Sequence, residues 1–390
     1  MTDTSCIDLF CGVGGLTHGL KKSGINVVAG VDTDRACRHP FETNNIATFL
    51  PQDVATLKPE LLIDHFGSAS RRILAGCAPC QPFSTYSQRY ETIGTERWGL
   101  MYHFARLIKS IKPDIVAMEN VPTVTKHEVY QDFVNLLKSD GYFVWNGIVD
   151  CKEYGLPQGR NRAVLLASRD GPINILQSAK RTITTVRDAI GGMPKLLHGE
   201  ISSEDRLHRS AKLSDLNLKR IRASRPGGSW REWPKELVAK CHQKQSGRTY
   251  PSVYARMMWD QPSPTLTTQF FGFGNGRFGH PEQDRAISLR EGAILQGFPR
   301  KYLFLPDQEN AYMKTLGRLI GNAVPVTLGE VIGQSIQKHI NQTDNTVCKN
   351  SLNAQFSKFE PALNIENKID NLIQANKSVS EIGEGDKKWA

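Results

Sequence analysis

Along the first 175 positions, apolar residues gather in short continuous runs bounded by glycine, proline or acidic residues. The runs alternate with stretches in which apolar positions recur every three or four residues. Cys6-Ile7-Asp8-Leu9-Phe10, Val27 to Val31, Arg72 to Ala75, Asp114 to Met118, Phe143 to Val149 and Ala163 to Ser168 read as buried strands. Leu16 to Lys22, Met101 to Ile111 and Val129 to Lys138 carry helical spacing. Strands alternating with helices predict an α/β fold with a parallel, doubly wound sheet. Ligands of such sheets sit at the carboxyl ends of the strands, where the Gly12 turn, Asp32, Asp53, Cys80 and Glu119 all fall.

From about Ile175 the alternation fades into a turn-rich stretch that extends past Gly279. Helical spacing returns at Leu289 to Gly297, stopped by Phe298-Pro299, and again from Val326 to Ile340. After Asn341 the chain is rich in Asn, Lys, Ser and Glu and poor in large apolar residues, which predicts a flexible or weakly helical tail.

Composition adds a partner. The net charge is +10, and Asp205 to Arg248 holds twelve Lys and Arg against four Asp and Glu, a net +8. Trp230, Trp233 and Tyr250 are interleaved with this charge, a pattern that fits a nucleic-acid surface. No run of about 18 apolar residues and no export signal is found, so a cytoplasmic protein is expected. Eight scattered cysteines fit free thiols in a reducing compartment.

Two local patterns carry chemistry. The strand ending at Phe10 runs into Cys11-Gly12-Val13-Gly14-Gly15 and then a helix, a turn that lets the backbone approach a ligand and offers helix-terminal amides. Asp32 follows about twenty residues after the glycines, where a carboxylate can accept ribose hydroxyls. The second pattern is Gly76-Cys77-Ala78-Pro79-Cys80-Gln81-Pro82-Phe83-Ser84, in which two prolines stiffen the loop around Cys80. On the loop alone, a nucleophile, half a zinc site, a redox pair and two packed thiols all stand open.

Six strings in one order narrow the choice. Asp8 to Gly15, Gly76 to Ser84, Glu119-Asn120-Val121, Gln158-Gly159-Arg160-Asn161-Arg162, Arg290-Glu291 with Leu295-Gln296-Gly297-Phe298-Pro299, and Gly321-Asn322-Ala323-Val324-Pro325 together resemble the motif series of DNA cytosine-5 methyltransferases. The resemblance runs from about Ser5 to Ile340. It implies a Rossmann-like, doubly wound S-adenosylmethionine-dependent methyltransferase domain with a smaller, irregular target-recognition domain inserted. The divisions expected are 1–175 (catalytic, cofactor-binding), 176–287 (target recognition), 288–342 (hinge and returning C-terminal helix) and 343–390 (polar, flexible tail).

The resemblance also implies roles. Cys80 would add to C6 of a flipped-out cytosine, Glu119 would hydrogen-bond and protonate N3, and Arg162, with Arg160 beside it, would hold O2. S-adenosylmethionine would be the cofactor and S-adenosylhomocysteine the product, with no metal. Phe10 would lie on the adenine, Gly12, Val13, Gly14 and Gly15 around the methionine part, and Asp32 with Thr33 at the ribose. Asp53 and Val54 would meet the adenine edge, while Pro79, Leu100, Asn322 and Ala323 would complete the pocket. Asp32 replaces a more usual Glu, and Ala78 a frequent proline. Cys77 is then expected to be a strand-end residue that packs. The implied partner is double-stranded DNA, with a cognate restriction endonuclease alongside and the enzyme acting as a monomer. The alternatives are a tRNA cytosine-5 methyltransferase, disfavoured by the basic insertion, and a catalytically silent DNA-binding relative, disfavoured by intact Cys80, Glu119 and Arg162.

Overall fold

The computed structural model describes residues 4–79, 99–178, 182–248, 251, 253–306, 309 and 312–347. Cys80, Tyr250 and the stretch from 348 to 390 therefore lie outside the described residues. Seven strands form one sheet: β1 (Thr4–Leu9), β2 (Val27–Val31), β3 (Thr48–Leu50), β4 (Arg71–Gly76), β5 (Ile115–Asn120), β6 (Phe143–Asp150) and β7 (Asn161–Ser168). Their order is β3-β2-β1-β4-β5-β7-β6.

The first five strands pair in parallel. The expectation of a wholly parallel sheet fails at β7, which runs antiparallel to both β5 and β6. The reason is the length of the link from Asp150 to Asn161. It is too short for a helical crossover, and a parallel pair needs a connection of roughly a dozen residues or more. The reversal brings the start of β7 to the same edge as the end of β5.

The strands are buried on both faces, and the period of two divides their side chains between two cores. Ile7, Leu9, Leu74, Val116, Met118 and Leu165 pack with helices α3 (Pro59–Phe66), α4 (Gly99–Ile111) and α5 (Glu128–Ser139). Cys6, Val27, Ile73, Ile115, Ala117 and Leu166 face α1 (Gly15–Lys22) and the long α12 (Val326–Val347). The C-terminal helix thus returns beside the first one. It continues past Ile340 to Val347, so the start of the polar tail is helical. A short helix α2 (Arg38–Asn45) follows β2.

Between Ile175 and Leu289 the described chain adds no strand to the sheet and forms the short helices α6 (Val186–Ile190), α7 (Asp215–Arg222), α8 (Lys240–Gln243) and α9 (Gln245–Arg248), together with 3-10 turns and isolated bridges. Irregular backbone leaves carbonyls without partners, and buried arginines satisfy them here. Arg256 donates to the carbonyls of Ile221, Ser224, His280 and Gln283 and pairs with Asp284. Arg285 and Glu291 form a fully buried bidentate pair at 2.7 Å. Trp230 and Trp233 are buried with Ile221 and Phe273, and Trp230 stacks on His242. Both tryptophans belong to a local core, against the expectation that they lie on a nucleic-acid surface.

Helices α10 (Leu289–Leu295) and α11 (Met313–Asn322) precede α12. Ser288 and Glu291 close a capping box at the start of α10. Among the described residues no helix is long and apolar enough to cross a membrane.

Candidate active site

The strand order reverses between β1 and β4, and a doubly wound sheet opens a crevice at that point. A cavity of about 340 Å³ occupies it. Its wall includes Phe10, Cys11, Gly12 and Val13 after β1, Asp32, Thr33 and Asp34 after β2, and Gln52, Asp53 and Val54 after β3. Cys77, Ala78 and Pro79 after β4, Leu100 of α4, and Arg318, Asn322 and Ala323 complete it.

The turn after β1 is shaped by left-handed backbone: Phe10 has φ 58°, and Gly14, at the N-cap of α1, has φ 85°. Gly12 donates its amide to Asp32 Oδ2 at 2.9 Å, and Asp34 donates to Asp32 Oδ1 at 2.9 Å. The turn and the carboxylate therefore fix each other. Gly14 and Gly15 do not line the cavity. A side chain on Gly14 would meet Asn45, Phe41 and Tyr302, and one on Gly15 would overlap the Val324 carbonyl. Their task is to let the chain pass.

The wall residues that the sequence did not single out as ligands include Arg318 and Asp8. Arg318 reaches Asp34 as an ion pair at 2.7 Å. Asp8 is buried at the end of β1, where Thr17 donates to its Oδ2 at 2.6 Å while Oδ1 has no hydrogen-bond partner. Burial pushes the Asp8 carboxyl up to about 7. Asp32 is likewise raised by burial, against the opposing effect of its two amide donors. An acidic residue inside a strand was the available signal for Asp8. An orphaned acceptor, a second carboxylate held by amides and the apolar faces of Phe10 and Leu100 fit a ligand with cationic or hydroxyl donors and a flat apolar part. Among the described residues no cluster of three or more His, Cys, Asp or Glu could hold a metal ion.

Cys80, which follows Pro79 in the chain, lies outside the described residues. Glu119 is buried near the end of β5, and the antiparallel register that sets it opposite Val164 puts Arg162 diagonally beside it. Arg162 Nε lies 2.8 Å from Glu119 Oε1. This is an ion pair without hydrogen-bond direction, because Oε1 counts no hydrogen-bond partner. Cys77 packs at the end of β4 as expected, and its thiol also donates to Oε2 at 2.8 Å. Asn120 donates to the Ala78 carbonyl at 3.1 Å and ties the loop to β5.

Arg160 is buried, and burial, with Arg162 beside it, holds its guanidinium below the usual arginine range. Its Nη1 donates to the Leu266 carbonyl at 3.3 Å and to Gln158 Oε1 at 3.4 Å. Gln158 in turn accepts the Leu266 amide and donates to Gln296, whose side chain donates to the Ala323 carbonyl. One buried polar knot thus joins the lead-in to β7, the segment around Leu266, the end of α10 and the wall residue Ala323. Arg290 and Glu291 act similarly: Arg290 pairs with Asp205 and donates to the Tyr302 carbonyl.

The model of the family described as C-5 cytosine-specific DNA methylase matches residues 4–338. Type II methylase M.HgiDII of Herpetosiphon aurantiacus is 48% identical over 339 residues, 86% of this chain and 95% of that protein. Type II methyltransferase M1.HphI of Haemophilus parahaemolyticus is 29% identical over 342 residues, 85% of this chain and 86% of that protein. Among solved structures, a DNA modification methyltransferase encoded within an E. coli prophage matches with a TM-score of 0.67 at 22% identity, covering 87% of this chain and 99% of that one. Methyltransferase EhMeth of Entamoeba histolytica matches with a TM-score of 0.64 at 15% identity, over 87% of this chain and 99% of that one. These structures establish the likeness of fold. With the family model spanning the sheet, the inserted module and the returning helix, this chain belongs to the C-5 cytosine-specific DNA methylases.

Proposed function

We propose that this chain methylates C5 of a specific cytosine in double-stranded DNA and that it does so as the modification partner of a restriction endonuclease. The contact of Glu119 with Arg162 and Cys77, one residue step from the cofactor-sized cavity, is the observation that carries the chemistry. The Type II names of the relatives support the biological setting. The expected working state is a cytoplasmic monomer, with residues 176–287 holding duplex DNA and 288–342 hinging back to the catalytic domain.

Cytosine C5 is a poor nucleophile until C6 is attacked. The Cys80 thiolate would add to C6, forming a carbon–sulfur bond and moving the ring electrons towards C5. Glu119 would hydrogen-bond N3 and deliver a proton there as charge builds. Cytosine O2 would offer Arg162 a second acceptor beside the Glu119 carboxylate, so that the two side chains hold adjacent edges of the base. S-adenosylmethionine, when bound, supplies the methyl group. Asp32 and Thr33 would hold the ribose, Phe10, Asp53 and Val54 the adenine, and Gly12 with Val13 the methionine part. Pro79, Leu100, Asn322 and Ala323 would close over them and exclude water. Once the C5 proton is removed, N3 would return its proton to the Glu119 carboxylate as the ring electrons break the carbon–sulfur bond and release the Cys80 thiolate. The base must leave the duplex for this, at a cost of a few kcal/mol met by protein–DNA contacts.

The test is incubation with labelled S-adenosylmethionine and either unmethylated plasmid or tRNA, followed by bisulfite mapping. Methylcytosine at one repeated sequence in the plasmid is expected; label on RNA alone overturns the reading. Cys80→Ser should reduce turnover to background while the protein still binds the cofactor.

A further inference from the structure

We propose that Cys77 is a positioning residue for methyl transfer, holding the Glu119 carboxylate in the plane from which it serves the base. The inference rests on the function proposed above. Cys77 directly follows β4, and its amide donates to the Leu9 carbonyl at 3.2 Å, so the β1–β4 ladder extends one residue beyond Gly76. Because Gly76 lies opposite Met118 in the parallel β4–β5 pair, the next residue on each strand brings Cys77 beside Glu119. The thiol then lies 2.8 Å from Oε2. This contact is set by the register of two strands and backbone that is already hydrogen-bonded.

The carboxylate is gripped from two sides by groups of different kinds. Arg162 provides charge at Oε1 and Cys77 a neutral donor at Oε2. Among the described residues no other group hydrogen-bonds to the buried carboxylate. When cytosine O2 draws on Arg162, the thiol remains to fix the carboxyl plane. A neutral, weak donor suits this task. It orients the carboxylate at Oε2 without placing a second charge beside Arg162. Cys77 is also half-buried on the wall of the cavity, so the thiol stands between the cofactor region and the acid. Packing alone does not require a thiol within hydrogen-bond reach of a catalytic carboxylate.

The experiment compares full-length wild type, Cys77→Ala and Cys77→Ser on unmethylated plasmid. It records kcat, KM for DNA, cofactor affinity and melting temperature. Loss of one hydrogen bond to a charged group predicts a fall in kcat of about tenfold for Cys77→Ala, with KM and cofactor affinity held within about twofold. Serine restores a donor, and Cys77→Ser should recover kcat. Wild-type values in both variants would overturn the proposal, as would equal defects in both accompanied only by a lower melting temperature. If wild type itself leaves plasmid DNA unmethylated, the proposed function fails instead, and the two failures are distinguished.

Discussion

Asp8 concentrates the electrostatic cost of the site in one side chain. Its ordinary value is 3.8, and burial raises it to about 7 in the folded chain. Between those values the folded state keeps a proton that the unfolded state has lost, so stability falls as pH rises from about 4 to about 7. Asp8→Asn removes that dependence. Its melting temperature should match or trail wild type at pH 5 and exceed it by a few degrees, on the order of 2–4 °C, at pH 8. Melting curves of both proteins across this range check it, and parallel curves would show that Asp8 does not titrate as described. At the same scale, Glu119 and Arg162 were legible because each sits in a specific string at a strand end. Cys77 packs at the strand end as expected, but its contact with Glu119 was not legible because it depends on the register of a neighbouring strand, which no local pattern carries. Trp230 and Trp233 were misread because interleaved basic and aromatic residues look the same whether the rings face DNA or form a small core.

At the level of elements, the α1–α12 pair binds the first and last parts of the fold. Gly19 faces the α12 backbone, where a methyl group would overlap the Val326 carbonyl and the Glu330 amide. Alanine is a better helix former than glycine by about 1 kcal/mol, which alone would make Gly19→Ala stabilising. The opposing neighbours are backbone atoms that cannot rotate away, and overpacking of this kind costs about 1–3 kcal/mol, so the clash should win. Gly19→Ala is expected to lower the urea midpoint; a raised midpoint would mean that α12 shifts freely. The apolar runs made the main strands legible, and the ten-residue link before Asn161 held the signal for an antiparallel β7. Helix α11 escaped notice although Met313, Leu316, Leu319 and Ile320 are helically spaced, because Gly317 and Gly321 read as breakers. Both glycines serve packing: Gly317 admits the Phe271 ring, and Gly321 admits the Thr267 carbonyl. The three-residue β3 and polar α2 leave too little periodicity to detect.

Across the whole molecule, Tyr302 connects the late part of the chain to the glycine turn after β1. Its hydroxyl donates to the Val13 carbonyl at 2.5 Å and accepts from Asn45 Nδ2 at 3.2 Å, and its ring meets His18 edge-on. Its own carbonyl accepts from Arg290, which pairs with Asp205 in the inserted module. A continuous polar line therefore runs from that module through Arg290 and Tyr302 to a turn that forms the cavity wall. The distant Asn322 and Ala323 reach the same wall by way of α11, so the cavity is complete only when both ends of the chain are folded together. Tyr302→Phe keeps the ring among Phe298 and Phe304 but strips the donor from the Val13 carbonyl. Asn45 keeps its bond to the Phe41 carbonyl, so the new deficit falls on the turn itself. A buried acceptor left without its donor costs about 1–3 kcal/mol, and part of that should appear as loosening of the Gly12 to Gly15 turn. Calorimetric titration should then find S-adenosylmethionine bound about tenfold more weakly by Tyr302→Phe, with a modest drop in melting temperature. Unchanged affinity with the same drop in melting temperature would confine Tyr302 to stability and leave the turn to hold its own shape.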